Sequence, residues 1–230
     1  RAVGGLEVFK RRLQRLAEPF PGAHLVASEE VGMQTGRTFF VAPSDLDVDQ
    51  QVELTPVDPG ALAYVQLTSG STTTPQAVSI SHSNLAANVR AIMKAGGEDT
   101  QEAFVSWLPL YHDMGLVGMA MVALFHGNPL VLMRPETFVG TPLKWLQAIA
   151  AEGVASTTAP NFAYQWCVDR IREEKLEGLD LSGWRIACCG AEVVRPETLK
   201  GFVERFTPYG LKANVFVPCY GMAETTLGVS

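Results

Sequence analysis

The amino-acid sequence predicts an α/β fold of mostly parallel strands with crossover helices on the sheet faces. Two observations carry this. From residue 61 onward, short apolar runs of strand length alternate with longer segments of helical apolar spacing. Gly, Pro and Asn stop signals punctuate the alternation.

The elements follow in order. Leu6, Phe9, Leu13 and Leu16 make the apolar stripe of a first helix, ended by Pro19, Pro21 and Gly22. Its basic residues Lys10, Arg11, Arg12 and Arg15 read as a solvated face. Ala23 to Ala27 reads as a strand, and residues 42 to 60, rich in Pro and acids, read as a surface connection. Strand 61–67 leads to helix 82–95, with a short strand at 78–80 ahead of that helix. Strand 103–108 leads to helix 113–126, strand 129–133 to helix 142–151, and strand 154–158 to helix 161–175. Strand 184–189 leads to helix 196–206, where Leu199, Phe202, Val203 and Phe206 keep i, i+3, i+4, i+7 spacing. A last strand, 214–219, opens into a loop. No repeat and no low-complexity tract interrupts the series.

Composition narrows the function classes. With 230 residues, 47% of them hydrophobic and 18% charged, the chain has material for a large core. A net charge of -6 argues against nucleic acid as a partner. The longest apolar stretch, Met114 to Phe125, is 12 residues, too short to be a transmembrane segment. No secretory leader pattern is visible. Cys167, Cys188, Cys189 and Cys219 have neither metal-ligand spacing nor a disulfide framework, so a reducing cytoplasm is the expected setting.

The segment QLTSGSTTTPQAVSISH, residues 66 to 82, carries the densest chemistry. Thr68, Ser69, Ser71, Thr72, Thr73 and Thr74 crowd around Gly70, an arrangement suited to a nucleotide phosphate chain. A Ser/Thr-rich turn is the plain alternative. Walker and dinucleotide fingerprints are both absent: Pro75 and Gln76 stand where the first needs Gly-Lys. In an open α/β sheet, ligands collect beyond the carboxyl ends of the strands. Five polar clusters sit there: TSGSTTT, PLYHDMG, APNF, GAE and YGMAET.

In this order, TSGSTTTP, WLPLYHDMGL, APNFAY, CGAEVV and YGMAET resemble the core motifs of the acyl-adenylate-forming superfamily. The likeness covers about residue 6 to residue 230, and SWLPLYHDMGL with APNFAY is most similar to fatty acyl-AMP ligases. The resemblance implies an N-terminal adenylating domain, with residues 1–60 part of a first α/β subdomain and 61–230 the nucleotide- and acyl-binding core. It implies formation of acyl-AMP from a fatty acid and ATP with Mg²⁺, release of pyrophosphate, and transfer of the acyl group to the phosphopantetheine thiol of an acyl carrier protein.

Residue roles come with the resemblance. Thr68, Ser69, Gly70, Ser71, Thr72 and Thr73 match the loop that holds the β- and γ-phosphates. The family's usual Gly-x-Pro-Lys-Gly ending is replaced here by Thr73, Pro75, Gln76 and Ala77. Loss of that lysine is frequent among fatty acyl-AMP ligases. Glu224 matches the Mg²⁺ ligand, a carboxylate suited to a hard cation. Tyr220 would stack on the adenine and Gly221 would allow close approach, with Met222, Ala223 and Thr225 completing the motif. Gly190, Ala191 and Glu192 match the segment at the junction of adenine and acyl sites. His112 matches a donor to the fatty carboxylate, or else caps helix 113–126, where Asp113 is the expected N-cap. Asn161 and Phe162 match residues near the acyl tunnel, with a helix cap as the alternative for Asn161. Met114, Met119, Met121 and Phe125 line either a lipid pocket or the core.

The resemblance further implies a ribose-binding aspartate and a mobile C-terminal domain with a catalytic lysine, outside this chain. The expectation is that the chain alone binds nucleotide weakly and does not turn over. Three readings stand: a fatty acyl-AMP ligase, an acyl-CoA synthetase or amino-acid-activating domain, and a non-catalytic nucleotide- or lipid-binding module.

Overall fold

A computed structural model describes residues 25–26, 40–41, 56–68, 76–97 and 102–230. The chain separates into two compact units, Arg1–Pro56 and Val57–Ser230. In the first, strand β1 (Leu25–Val26) runs parallel to β2 (Phe40–Val41). β1 falls within the strand expected at 23–27. The helix expected over Leu6 to Leu16 lies outside the described residues.

The second unit opens with a hairpin. β3 (Leu62–Leu67) pairs antiparallel with β4 (Ala77–Ser81) in a separate two-stranded sheet. This corrects the expectation that strand 61–67 feeds straight into a parallel crossover. Only residues 68–76 join the two strands, fewer than a crossover connection needs. Helix α1 (His82–Gly96) follows at once, started by a capping box in which Ser81 and Asn84 satisfy each other's backbone amides.

Five parallel strands form the main sheet: β5 (Ala103–Ser106), β6 (Leu130–Leu132), β7 (Ala155–Pro160), β8 (Trp184–Gly190) and β9 (Phe216–Pro218). Their spatial order is β6-β5-β7-β8-β9. β6 and β7 flank β5 on opposite sides, so the strand order reverses between β5 and β7. Such a switch point opens a crevice above the carboxyl ends of the strands.

Between β5 and β6 the expected helix 113–126 is present but not uniform. It comprises α2 (Asp113–Gly115), a π-helical stretch (Leu116–Met121) and α3 (Val122–His126). Glycines let the widened stretch pack closely. A Cβ on Gly115 would lie 2.5 Å from Pro109 O, and one on Gly118 would lie 2.9 Å from Leu227 Cδ2. Met114 and Met119 are buried in the core, Met121 is partly buried, and Phe125 is 47% exposed.

Helix α4 (Pro135–Gly140) was not expected from the sequence. Proline at its first position and the buried Phe138 explain it. Then come α5 (Leu143–Glu152), α6 (Asn161–Arg170) and α7 (Pro196–Phe206). α6 stops short of the expected residue 175: Ile171 is extended, and a separate 3₁₀ turn takes up Glu173–Lys175. Arg205, on α7, donates to the carbonyls of Val168 and Ile171 and so satisfies that helix end.

Aromatic rings fill the space between helices and sheet. Trp145, Trp184, Tyr164, Phe138, Phe202 and Phe206 are all fully buried. Trp107 stacks on Phe138 at 4.0 Å, and Tyr164 meets Phe216 edge-on at 4.9 Å. Among the described residues no helix is long and apolar enough to cross a membrane.

Candidate active site

Four of the five motif clusters lie at the carboxyl ends of the main sheet, and the fifth belongs to the hairpin beside it. Within the fifth, Ser69, Gly70, Ser71, Thr72 and Thr73 lie outside the described residues. Thr68 is described: its amide donates to Gln76 O at 2.9 Å, closing the base of the loop. Two residues earlier, the buried Gln66 donates from Nε2 to Tyr111 O at 3.0 Å. That bond ties the foot of the hydroxyl-rich loop to the segment carrying His112.

His112 occupies the N-cap position of α2, and Asp113, the expected cap, is the first helical residue. His112 Nδ1 lies 2.8 Å from Asp113 Oδ1 and 3.2 Å from the Met114 amide. One nitrogen cannot donate to the first and accept from the second in the same tautomer. The Met114 amide also reaches Asp113 Oδ1 at 2.7 Å, the shorter contact. We therefore assign the proton to His112 Nδ1, donating to Asp113, which leaves Nε2 for other chemistry. The hydrogen bond to Asp113 raises the His112 pKa above the ordinary imidazole value, with partial burial opposing. Burial alone would raise Asp113, but the His112 bond and charge together with the Met114 amide hold it lower.

At the switch point, Trp107 follows β5 and meets Phe162, on α6, edge-on at 6.0 Å. Phe162 is 47% exposed, so an apolar face stays open next to the buried aromatic cluster. Asn161 is buried: its Oδ1 accepts from the Arg195 amide at 2.9 Å and its Nδ2 donates to Thr198 Oγ1 at 3.3 Å. It thereby fastens the start of α6 to the segment after β8. Glu192 fastens the same two segments, accepting the Phe162 amide at 2.7 Å. A carboxylate at a helix start is favoured by the amides exposed there.

Gly190 ends β8 where no side chain fits, since a Cβ would lie 2.6 Å from Cys219 O and 2.8 Å from its sulfur. Ala191 has φ 65, a left-handed conformation rare outside glycine that turns the chain sharply over the sheet. Cys188 shares a hydrogen bond with Cys219. That bond lowers the Cys219 pKa and raises that of Cys188.

The YGMAET segment folds back on itself. Tyr220 and Val229, Met222 and Leu227, and the bridge Gly221↔Gly228 pair antiparallel around a 3₁₀ turn, Ala223–Thr225. Thr225 Oγ1 donates to Met222 O at 2.9 Å and is 3.1 Å from Leu227 O. A Cβ on Gly221 would lie 2.2 Å from Leu227 O, so this loop's own closure requires the glycine. Ala223 is buried beneath the turn, whereas Tyr220 and Glu224 face solvent. Glu224 makes no hydrogen bond or ion pair among the described residues.

Sequence reasoning missed the supports of this loop. Gly118 leaves room for Leu227, and Gly228 seats against Asn88 and Ile92 on α1. A signal existed for Asn88: it sits at i+3 in the otherwise apolar stripe Leu85, Val89, Ile92.

Among the described residues there is no group of three or more His, Cys, Asp or Glu able to cage a metal. A single exposed carboxylate fits Mg²⁺, which takes few protein ligands and is held chiefly by substrate phosphates and water.

Comparison with known proteins places this geometry. The family model described as AMP-binding enzyme matches residues 11–230. The chain is 41% identical over 174 residues to the medium-chain-fatty-acid–[acyl-carrier-protein] ligase JamA of Moorena producens, covering 76% of this chain and 29% of that protein. It is 40% identical over 198 residues to the long-chain-fatty-acid–AMP ligase FadD23 of Mycobacterium tuberculosis, covering 83% of this chain and 34% of that one. The crystal structure of a fatty acid AMP ligase from Legionella pneumophila superposes with a TM-score of 0.87 at 36% identity, over 94% of this chain and 39% of that one. A fatty acyl-adenylate ligase from L. pneumophila, solved with acyl adenylate and pyrophosphate, gives 0.85 at 35% identity over 92% and 38%. The chain thus spans about a third of the length of these relatives, and it belongs to the AMP-binding enzyme family.

Proposed function

We propose that the protein carrying this chain activates a fatty acid with ATP as acyl-AMP, releases pyrophosphate, and hands the acyl group to the phosphopantetheine thiol of an acyl carrier protein. One observation carries the reading. Motif segments resembling those of fatty acyl-AMP ligases gather at the carboxyl ends of adjacent strands, around a switch point with an open aromatic face. The names of the curated relatives support both the acid and the acceptor.

The resemblance assigns the roles. Thr68 to Thr73 receive the β- and γ-phosphates; Tyr220 stacks on adenine, with Gly190, Ala191 and Glu192 along its edge. His112, when protonated, a form that its bond to Asp113 favours, donates from Nε2 to the fatty carboxylate and orients one oxygen toward the α-phosphorus. Phe162 and the exposed Tyr111 offer apolar surface for the first carbons of the chain. Asn161 acts by holding the segment after β8 in place. Glu224 would hold Mg²⁺, which when bound neutralises phosphate charge in the in-line displacement. The carboxylate oxygen forms the new bond to the α-phosphorus as the bond to pyrophosphate breaks. Thiol attack on the acyl carbon then expels AMP. The four free thiols suit a reducing compartment, and we assign the cytoplasm.

Pyrophosphate release by the full-length protein, with fatty acids, amino acids or no acid, tests the reading. Fatty-acid-dependent release followed by acylation of a phosphopantetheinylated carrier protein is the expected result. Efficient acyl-CoA formation from free CoA would refute the acceptor, and release with amino acids alone would refute the substrate.

A further inference from the structure

Helix α1 is fixed at several points. At its start, His82 and Ser83 donate to Ala61 O and Pro59 O, the turn ahead of β3. At its end, Arg185 donates to Gly96 O at 2.8 Å. Midway, Asn88 Nδ2 donates to Gly228 O at 2.9 Å, and Asn88 Oδ1 accepts the Gly228 amide at 3.0 Å. A side-chain amide here replaces a neighbouring strand, pairing with both backbone groups of one residue across 140 residues of sequence. Ile92, one turn on, closes the other side: a Cβ on Gly228 would lie 3.2 Å from it. Gly228 in turn bridges Gly221, so the clamp holds both arms of the turn that presents Glu224.

We propose that Asn88 is a positioning residue for the metal carboxylate: α1 is a rigid bar whose first turn grows from the hairpin bearing the phosphate loop and whose Asn88 grips the Glu224 loop. The inference rests on Glu224 serving as the Mg²⁺ ligand. The bar sets how far that carboxylate stands from the hairpin base at Thr68 and Gln76, and Glu224 would there supply an oxygen ligand for Mg²⁺. Solvent competes poorly for a paired, half-buried amide, so the grip is firm without any covalent link.

The test uses the full-length protein and three variants: Asn88→Ala, Asn88→Asp and Val89→Ala. Val89 is fully buried on the same helix as part of the hydrophobic core and makes no side-chain hydrogen bond, so its variant reports lost packing. Amide hydrogen exchange, measured without metal or nucleotide, is expected to quicken at least about tenfold across residues 221–228 in Asn88→Ala. Asn88→Asp keeps an acceptor for the Gly228 amide and should fall between native and alanine. The Mg²⁺ concentration for half-maximal adenylation should rise about tenfold in Asn88→Ala with the fatty-acid KM unchanged. Val89→Ala should leave both readouts near native.

Unchanged exchange in both Asn88 variants overturns the clamp. Equal changes in Val89→Ala overturn its specificity, and faster exchange with an unaltered Mg²⁺ requirement overturns its link to the metal. Should Glu224→Ala itself leave the Mg²⁺ requirement intact, the metal-ligand reading fails instead, and the exchange data, taken without metal, separate the two cases.

Discussion

The two rims of the five-stranded sheet handle polar groups in opposite ways. At the amino ends, Glu102 is 2% exposed and takes both Nε and a terminal nitrogen of Arg185. Asn128 donates to Glu102 O, and Arg185 also reaches the end of α1. Gly183 meets Gly153 so tightly that no Cβ fits. At the carboxyl ends, Glu224, Tyr220 and Tyr111 face solvent, and the fixed groups there are backbone turns held by Asn88, Asn161 and Glu192. One rim spends its polar groups on each other. The other rim uses supporting side chains to leave Glu224, Tyr220 and Tyr111 open to solvent, the arrangement a binding edge needs.

That contrast predicts a clean exchange of phenotypes. Glu224→Ala in the full-length protein should lower Mg²⁺-dependent adenylation by on the order of 10²- to 10³-fold, as loss of one charge-stabilising group does. Its melting temperature should stay unchanged, because the side chain makes no hydrogen bond or ion pair among the described residues. Arg185→Ala should do the reverse. Removing a guanidinium from a buried carboxylate costs about 3 kcal/mol, the low end for buried pairs because Arg185 is 34% exposed. Melting should fall by roughly 6 °C or more, with kcat of the folded enzyme kept. A stable, inactive Arg185→Ala would break the division between rims.

How far the sequence disclosed this arrangement depends on the kind of feature. Strand and helix alternation was legible from Ala103 to Phe206, because apolar period and stop signals are local. The β3–β4 pairing was not, since antiparallel return depends on the short span between Leu67 and Ala77, and the hydroxyl-rich loop disguised it. The motif clusters at the strand ends were legible as a set. Their supports were mostly hidden: Gln66, Asn88 and Gly118 act through partners 45, 140 and 109 residues away, and no local pattern encodes such pairings. Asn161 shows the limit from the other side, since the motif drew attention to it while its amide is engaged with Arg195 and Thr198.

A smaller effect sharpens the comparison at the His112–Asp113 pair on the carboxyl rim. His112 is raised in the fold, so its contribution to stability is complete below the ordinary imidazole pKa and lost as pH rises through the folded value. Asp113 is lowered, so its contribution is present above the ordinary aspartate pKa and lost as pH falls through the folded value. The pair is strongest between about pH 4 and 6.5. In Asp113→Asn the imidazole midpoint, followed by NMR, should drop to the ordinary value or below, since half-burial then acts alone. If protonated His112 holds the fatty carboxylate, the alkaline limb of the adenylation profile should move down with it. An unmoved midpoint would show that Nδ1 faces the Met114 amide and not Asp113.

The smallest expected effect lies between the rims, in the middle of β7. Thr157 is 1% exposed, and its hydroxyl has no partner among the described residues. Its strand is central in the sheet and pairs Thr157 with Ala187 of β8. A buried hydroxyl without a hydrogen bond has lost its water and gained nothing in return. Thr157→Val keeps the branched shape and the strand preference while removing that group. Stability should therefore rise by about 1 kcal/mol, or roughly 2–4 °C in melting temperature. Adenylation should be unaffected, because the residue lies below the rim that ends at Pro160. A loss of similar size would mean that the hydroxyl is satisfied by an enclosed water, as buried polar groups commonly are. The polar face of β7 would then extend the open carboxyl rim downward, and the boundary between the two halves of the sheet would sit nearer the amino ends.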